Sequence, residues 1–259
     1  MLKKVEQQEK QIWDDYFKEA LSGAGQEMEN SNLWWTISER DTVNIVKELF
    51  GQKHFSVCEA GCGSGGSSFS LVQEMNVTKL HLMDISNNAL EYAKNIASKD
   101  INIPITYEQK SILSNPDIKQ QYDFVWNTGL IEHYQTDDII TIVKNMLNMT
   151  KNNGFVMIGI PNKSSMAVCK ARILGSKFGK KYLKFIPGYR NTTEIPYSNK
   201  QIKQLLSNNF TKYKTDIRFA GSPLFAGTPE FIIKITDALV KCPRNAFLSY
   251  FIIKKEEQK

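Results

Sequence analysis

The chain has 259 residues, 41% of them hydrophobic, and a formal net charge of +6 at pH 7. That length suits one α/β domain with an elaboration, or at most two domains, with enough apolar residues for a real core. No run reaches the roughly 20 apolar residues of a membrane span, Met1–Gln7 lacks the apolar stretch of a signal peptide, and Cys58, Cys62, Cys169 and Cys242 form no C-x-x-C pair and suggest no disulfide framework or zinc site, so a cytoplasmic protein is expected.

Val5, Ile12, Trp13, Tyr16, Phe17 and Leu21 give residues 5–21 the spacing of a helix with an apolar face. Ser22-Gly23-Ala24-Gly25 breaks it. Ser38 is placed to cap a helix from Glu39 to about Phe50, with Val43, Val46, Leu49 and Phe50 facing inward. A short apolar strand follows at 55–59, then a glycine loop, a helix near 66–76 and a strand at 79–84. Asn87 or Asn88 opens a helix through Ala97, and strands are expected at 104–109 and 122–127. Asp137 and Asp138 suit the first turn of a helix ending near Met149, where negative charge meets the helix dipole. Lys151-Asn152-Asn153-Gly154 reads as a turn into strand 155–160, a continuous apolar run of the kind buried on both faces.

Residues 161–197 interrupt this rhythm with Pro161, a basic stretch and Ile186-Pro187-Gly188-Tyr189-Arg190. They read as an insertion covering the site. A helix from Ser198 to about Asn208, a strand near 212–219, a helix over Pro229–Val240 and a strand at 247–253 close the chain. Strand–helix alternation of this kind predicts a mostly parallel sheet with right-handed crossovers.

The most informative stretch is Val57-Cys58-Glu59-Ala60-Gly61-Cys62-Gly63-Ser64-Gly65-Gly66. A buried strand ends in an acid and then in alternating glycines, which permit a tight strand-to-helix turn and let a ligand lie against bare backbone. About twenty residues on, Lys79–Asp84 is a second strand with a carboxylate at its C-terminal end. This is the layout of a nucleoside-binding unit with an acid for ribose hydroxyls. Gly61, Gly63 and Gly65 make the spacing G-x-G-x-G.

Glu59-Ala60-Gly61-Cys62-Gly63-Ser64-Gly65 resembles the first motif of class I S-adenosylmethionine-dependent methyltransferases. The resemblance covers about 40–160 well and the C-terminal order more loosely. It implies an α/β Rossmann-like fold: a seven-stranded, mostly parallel sheet with an antiparallel last strand and helices on both faces. The implied cofactor is S-adenosylmethionine, with S-adenosylhomocysteine as product and no metal. It places Gly61, Cys62, Gly63 and Gly65 as the cofactor floor, Glu59 near the amino-acid end, Asp84 on the ribose and Ile85 on the adenine. Where many members carry an acid for the adenine amino group, this chain has Ser111, whose hydroxyl accepts a hydrogen bond without charge, followed by Ile112. Asn127-Thr128-Gly129-Leu130-Ile131-Glu132-His133-Tyr134 resembles the family's fourth motif, which sets Asn127 and Thr128 near the methyl and carboxypropyl region.

Methyl transfer from a sulfonium is an in-line displacement in which positioning can supply much of the rate, and a base helps when the nucleophile is protonated. His133, one of three histidines, is the candidate base, with a packing role as its alternative. Asn127-Thr128-Gly129-Leu130 lacks the two prolines of amino-methylating DNA enzymes. The paired-glutamate loop of protein arginine methyltransferases is not matched, and Asn127 stands where metal-dependent catechol enzymes need an Asp. Arg40 is a candidate for the cofactor carboxylate. Trp13, Tyr16, Phe17, Trp34 and Trp35 make the N-terminal segment a candidate lid, and Tyr16, Trp35, Tyr189 and Arg190 are candidate acceptor contacts.

The expected organisation is a helical lid at 1–38, a cofactor-binding core at 39–160, a substrate cap at 161–197 and the rest of the core at 198–259. The expected acceptor is the N or O of a small molecule or peptide-like metabolite. An RNA acceptor, motivated by the basic run Lys170–Lys184, is the alternative partner. A cofactor-binding protein without turnover is the alternative of a different class.

Overall fold

A computed structural model of the protein describes residues 4–22, 33–97, 101–114, 119–182, 193–225, 227–240 and 244–256. Seven strands form one sheet: β1 (Phe55–Ala60), β2 (Val77–Asp84), β3 (Ile105–Gln109), β4 (Tyr122–Thr128), β5 (Thr150–Pro161), β6 (Thr215–Ala220) and β7 (Leu248–Lys254). Their order is β3-β2-β1-β4-β5-β7-β6. The first five strands are mutually parallel, and β7 slots between β5 and β6, antiparallel to both. The helices are α1 (Lys4–Leu21), α2 (Leu33–Phe50), α3 (Gly66–Glu74), α4 (Asn87–Ile96), α5 (Thr136–Met149), α6 (Met166–Gly175), α7 (Lys177–Tyr182), α8 (Asn199–Asn209) and α9 (Glu230–Leu239).

The two-residue period of a strand divides the apolar residues between two cores. From β1, Phe55 and Val57 join Phe124 and Trp126 of β4 beneath α2 and α3, while Cys58 and Ala60 join Val125 beneath α5. Phe50 stacks on Phe55 with ring centroids 4.1 Å apart, and Phe124 stacks on Trp126 at 5.9 Å. A smaller cluster ties α2 to the C-terminal part, with Trp34 and Ile37 packed on Ile233 of α9. The order of strands turns about between β1 and β4, which opens a crevice at the carboxyl ends of these strands. Ala60, Asp84 and Thr128 all end at that edge.

Several local expectations are corrected. Ser38 is not a cap: α2 begins at Leu33, and Ser38 is a buried interior residue whose hydroxyl bonds back to the Trp34 carbonyl. A lid boundary at 38/39 therefore falls inside a continuous helix. By contrast, α4 opens at Asn87 as expected, with Ser86 as the cap that accepts from the Ala89 N–H. The turn at Lys151–Gly154 is a kink within β5, with Asn153 at φ 61°. The predicted apolar face of α1 is buried only in part: Phe17 is buried together with Glu6 and Glu9, while Ile12, Tyr16 and Leu21 are exposed. The physical reason is that α1 lies on α4 and on loops at the crevice edge, where polar partners await it. The capping box of α8, Ser198 with Gln201, is complete.

Phe124 has no exposed surface and fills the space between β1, α2 and β4. Phe124→Ala is expected to lower unfolding free energy by about 3–5 kcal/mol, read as a fall in the denaturant midpoint.

Candidate functional site

The crevice deepens into a cavity of about 680 Å³. Its floor is the turn after β1. Gly61, Gly63 and Gly65 stand at φ 67°, 51° and 71°, a left-handed region in which a Cβ costs about 1–2 kcal/mol per residue. A Cβ on Gly65 would also lie 2.8 Å from the Leu82 side chain. Sterics and dihedrals together fix glycine here.

Asp84 ends β2 beside this turn. Its Oδ2 accepts from the Gly63 N–H at 2.9 Å and its Oδ1 from the Ser86 N–H at 2.8 Å. A carboxylate has about four lone-pair sites, so each oxygen keeps acceptor capacity toward the cavity that Asp84 lines. Burial pushes the Asp84 carboxyl above its ordinary value, against the pull of those backbone donors.

The turn's own N–H groups are mostly spoken for. Gly61 and Cys62 donate to the Met83 carbonyl at 2.7 and 3.1 Å, Gly63 to Asp84, and Gly65 to the Cys62 carbonyl at 2.8 Å. A pyrophosphate site needs such donors aimed outward. This loop instead offers a carbon-lined cradle and a carboxylate, which fits a nucleoside without a pyrophosphate.

The sequence-derived candidates divide into two sets. Gly61, Cys62, Gly63, Asp84, Ile85, Ile112, Thr128 and His133 line the cavity, with Tyr16 and Trp35 at its wall. Glu59 lies behind the loop. Its carboxylate accepts from Ser68 Oγ at 2.6 Å, and Ser68 Oγ accepts from Trp126 Nε1 at 3.2 Å. Ser111 also lies off the cavity wall: its hydroxyl donates to Glu6 of α1 and accepts from the Leu113 N–H at 3.0 Å. Asn127 is buried with its amide N–H₂ on Met146 Sδ, 3.3 Å away, and its Oδ1 without a partner. Arg40 turns outward, where Asp237 and Asp41 hold its guanidinium at 2.7–2.8 Å and raise its pKa. Tyr189 and Arg190 lie outside the described residues.

His133 sits in a 3₁₀ turn, Ile131–His133, after β4. Its Nδ1 is 3.2 Å from Glu9 Oε2 and 3.0 Å from Thr193 Oγ1. Burial disfavours the imidazolium, but the carboxylates of Glu9, Glu132 and Glu194 more than offset this and raise its pKa. The histidine is thus held toward its cationic form by α1. Burial lifts the neighbouring Glu132 to about 7. Residues 195–197 also bond here: the Ile195 N–H donates to the Glu132 carbonyl at 2.7 Å, and Tyr197 OH to the Tyr134 carbonyl at 2.9 Å.

Sequence reading missed much of the cavity's far side. Thr42 and Glu39 of α2, Tyr92 of α4, and Phe247 and Tyr250 at β7 all line it. Tyr250 lies in an apolar strand run, and only the antiparallel insertion of β7 brings it beside Thr128. The basic run Lys170–Lys184 forms α6 and α7 as far as Tyr182, with Phe178 and Tyr182 exposed among the lysines. Among the described residues, no group of His, Cys, Asp and Glu is arranged to hold a metal, and no helix is long and apolar enough to cross a membrane.

Residues 57–154 match the family model described as "Methyltransferase domain". No curated protein matches the sequence. Among solved structures, the plantazolicin methyltransferase BpumL in complex with SAH is similar at TM-score 0.61 and 17% identity, over 95% of this chain and 93% of that one. Magnesium protoporphyrin IX methyltransferase from Synechocystis PCC 6803, with bound SAH, is similar at 0.58 and 15%, over 95% and 100%. Small RNA methyltransferase HEN1 is similar at 0.59 and 18%, over 85% of this chain and 25% of that one. At such identities the likeness establishes the fold, which is that of class I methyltransferases. Residues 57–154 match a methyltransferase domain, and they lie in a chain with the fold of class I S-adenosylmethionine-dependent methyltransferases.

Burial raises the Glu59 carboxyl from 4.5 to about 8. Between those values the folded protein holds a proton that the unfolded chain has released, so this group's contribution falls as pH rises from 4.5 to 8. Glu59→Gln is expected to flatten that part of the stability profile, measured by urea unfolding at pH 5, 6.5 and 8.

Proposed function

We propose that this protein transfers the methyl group of S-adenosylmethionine to nitrogen or oxygen of a small molecule or peptide-like acceptor bound in the same cavity. One observation carries the reading: a carboxylate bonded to the second glycine of a G-x-G-x-G turn lines a cavity that continues past the end of β4 beneath aromatic side chains of α1. The cofactor supplies an electrophilic methyl on a sulfonium. The rest is done by residues of this chain.

Asp84, with its spare lone pairs, is placed for the ribose hydroxyls, and Ile85 and Ile112 offer apolar surface for the adenine. Gly61 and Gly63 supply a floor without side chains. Glu9, Glu19, Glu39 and Asp84 line the cavity against Lys110 and His133, an acidic surplus that suits a cationic sulfonium. Glu59, Ser111 and Asn127 act through their neighbours, holding the loop, α1 and β4 in place. Arg40 braces α2 on Asp237 of α9.

Trp13, Tyr16 and Phe17 roof the cavity, and Phe17 packs on Tyr92 with centroids 5.5 Å apart. A roof of this kind excludes water and confines the acceptor to an in-line approach. His133 stays paired with Glu9 until an acceptor or a shift of α1 separates them. Release of that carboxylate lowers the imidazole pKa toward its usual value, so the ring gives its proton to water and its freed nitrogen can take one from the acceptor.

Isothermal titration should show micromolar binding of S-adenosylmethionine and S-adenosylhomocysteine with none of NAD. Asp84→Ala should weaken both by about 100-fold or more, from two lost charge-assisted bonds; an unchanged affinity refutes the assignment. Once an acceptor is found by screening, His133→Ala should lower kcat with cofactor affinity intact if the imidazole takes the proton.

The exposed pair Phe178 and Tyr182, 5.1 Å apart among Lys177, Lys180 and Lys181, supports a second reading, an RNA acceptor. Aromatic faces beside a basic run suit single-stranded nucleic acid. Binding of a fluorescent oligouridine should then weaken steeply between low and physiological salt, and salt-independent or absent binding removes it.

A further inference from the structure

We propose that Thr42, Tyr250 and Thr128 form a one-way chain of hydroxyls that presents Thr128 Oγ1 to the cavity as a pure hydrogen-bond acceptor, so that the site selects acceptor molecules carrying an N–H or O–H where they meet Thr128. This rests on the methyltransferase reading of the same cavity and assigns its acceptor end.

The polarity follows from counting protons. Thr42 Oγ1 is 2.8 Å from the Ser38 carbonyl oxygen, one turn back in α2. A carbonyl has no proton, and two bare acceptors at that distance repel, so the single Thr42 hydroxyl proton lies there. Tyr250 OH is 3.0 Å from Thr42 Oγ1 and must be the donor in that bond. Its proton committed, Tyr250 meets Thr128 Oγ1 at 3.1 Å as the acceptor, and Thr128 donates. Thr128 has then spent its only proton inside the protein. Its oxygen lone pairs are what remain for the cavity, which Thr42, Thr128 and Tyr250 all line.

Two further features hold the chain in this sense. Tyr250 is 1% exposed, and burial pushes its phenol up to about 12, so it remains a donor at any physiological pH. Gly159 of β5 lies in register between Thr128 of β4 and Tyr250 of β7. A Cβ there would stand 2.4 Å from Tyr250 Cε1 and 2.8 Å from Thr128 Oγ1. The missing side chain is what lets a phenol ring cross one strand to reach the next.

Tyr250 and Thr42 are positioning residues that act through Thr128. The acceptors this predicts are neutral amines, amides, alcohols or phenols with a hydrogen on the nucleophile or on a group beside it. Fully substituted amines, ethers and thioethers are disfavoured, because a buried lone pair would face another.

The test uses matched probes titrated into the protein saturated with S-adenosylhomocysteine and followed by NMR. Phenol is paired with anisole and indole with benzofuran, so that each pair differs in a donor. Phenol and indole are expected to bind about 10-fold more tightly than their partners, the worth of one hydrogen bond. Thr128→Val should reduce the preference to about one, and Thr128→Ser should keep it. Tyr250→Phe frees the Thr128 proton to point outward, so anisole and benzofuran should gain affinity while phenol and indole do not. Loss of packing alone has no such effect.

Equal affinities within pairs, a preference that survives Thr128→Val, or failure of all four probes to bind overturns the proposal. S-adenosylhomocysteine affinity, measured on every variant, separates the two readings. Binding without donor preference sinks the hydroxyl chain alone. If that ligand does not bind, the methyltransferase reading falls, and the same pairs titrated into the ligand-free protein still decide the polarity of the chain.

Discussion

The bond from the Gly63 N–H to the Asp84 carboxylate organises the rest of the site. It joins the turn after β1 to the end of β2, two pieces of chain that would otherwise diverge at the crevice. Because the same carboxylate also takes the Ser86 N–H, it sets the start of α4, and Ser86 in turn caps that helix. The chosen path of the glycine turn, the opening of the cavity and the surface on which α1 rests all descend from this one buried group. The tie runs through its ionised form, although burial favours the neutral one. The two backbone donors resolve that conflict locally, and a cofactor's hydroxyls would resolve it further.

Most of the fold was legible because its strands are simple. β1, β4 and β7 are apolar runs bounded by turn residues, and a strand covered on both faces needs nothing else. Each of the seven strands fell within a few residues of its expected place. The glycine turn and Asp84 were legible because φ and close contact restrict what can stand there. Glu59, Ser111, Asn127 and Arg40 were harder. Each is a polar residue at a plausible spot, but whether its side chain faces the cavity or a neighbour depends on contacts made by distant segments. Ser111 is taken by Glu6, 105 residues away, and Arg40 by Asp237, 197 residues away. Thr42 and Tyr250 gave no local signal at all, since their meeting requires the antiparallel entry of β7 beside β5.

The first helix shows where pattern reading fails in kind. Its aromatic residues suggested a lid, and several of them do line the cavity. Its attachment, however, is polar. Glu6 takes Ser111, Glu9 faces His133, and Asp14 accepts from Ser86 Oγ at 2.6 Å and, through its carbonyl, from Asn88 Nδ2 at 2.9 Å. Phe17 is the one buried apolar side chain of this helix. An amphipathic pattern reports greasy faces, and this helix docks by carboxylates on the edges of loops.

That manner of docking makes α1 a gauge of shape. Apolar contact tolerates sliding, because burial has no direction. Hydrogen bonds do not, and here they fall at three separated stations: after β3, after β4 and at the start of α4. The helix can seat fully only when all three loops stand at the right spacing at once. A displaced loop at any one station strands a carboxylate against a surface that offers it no donor. The position of the roof over the cavity therefore depends on all three loops at once.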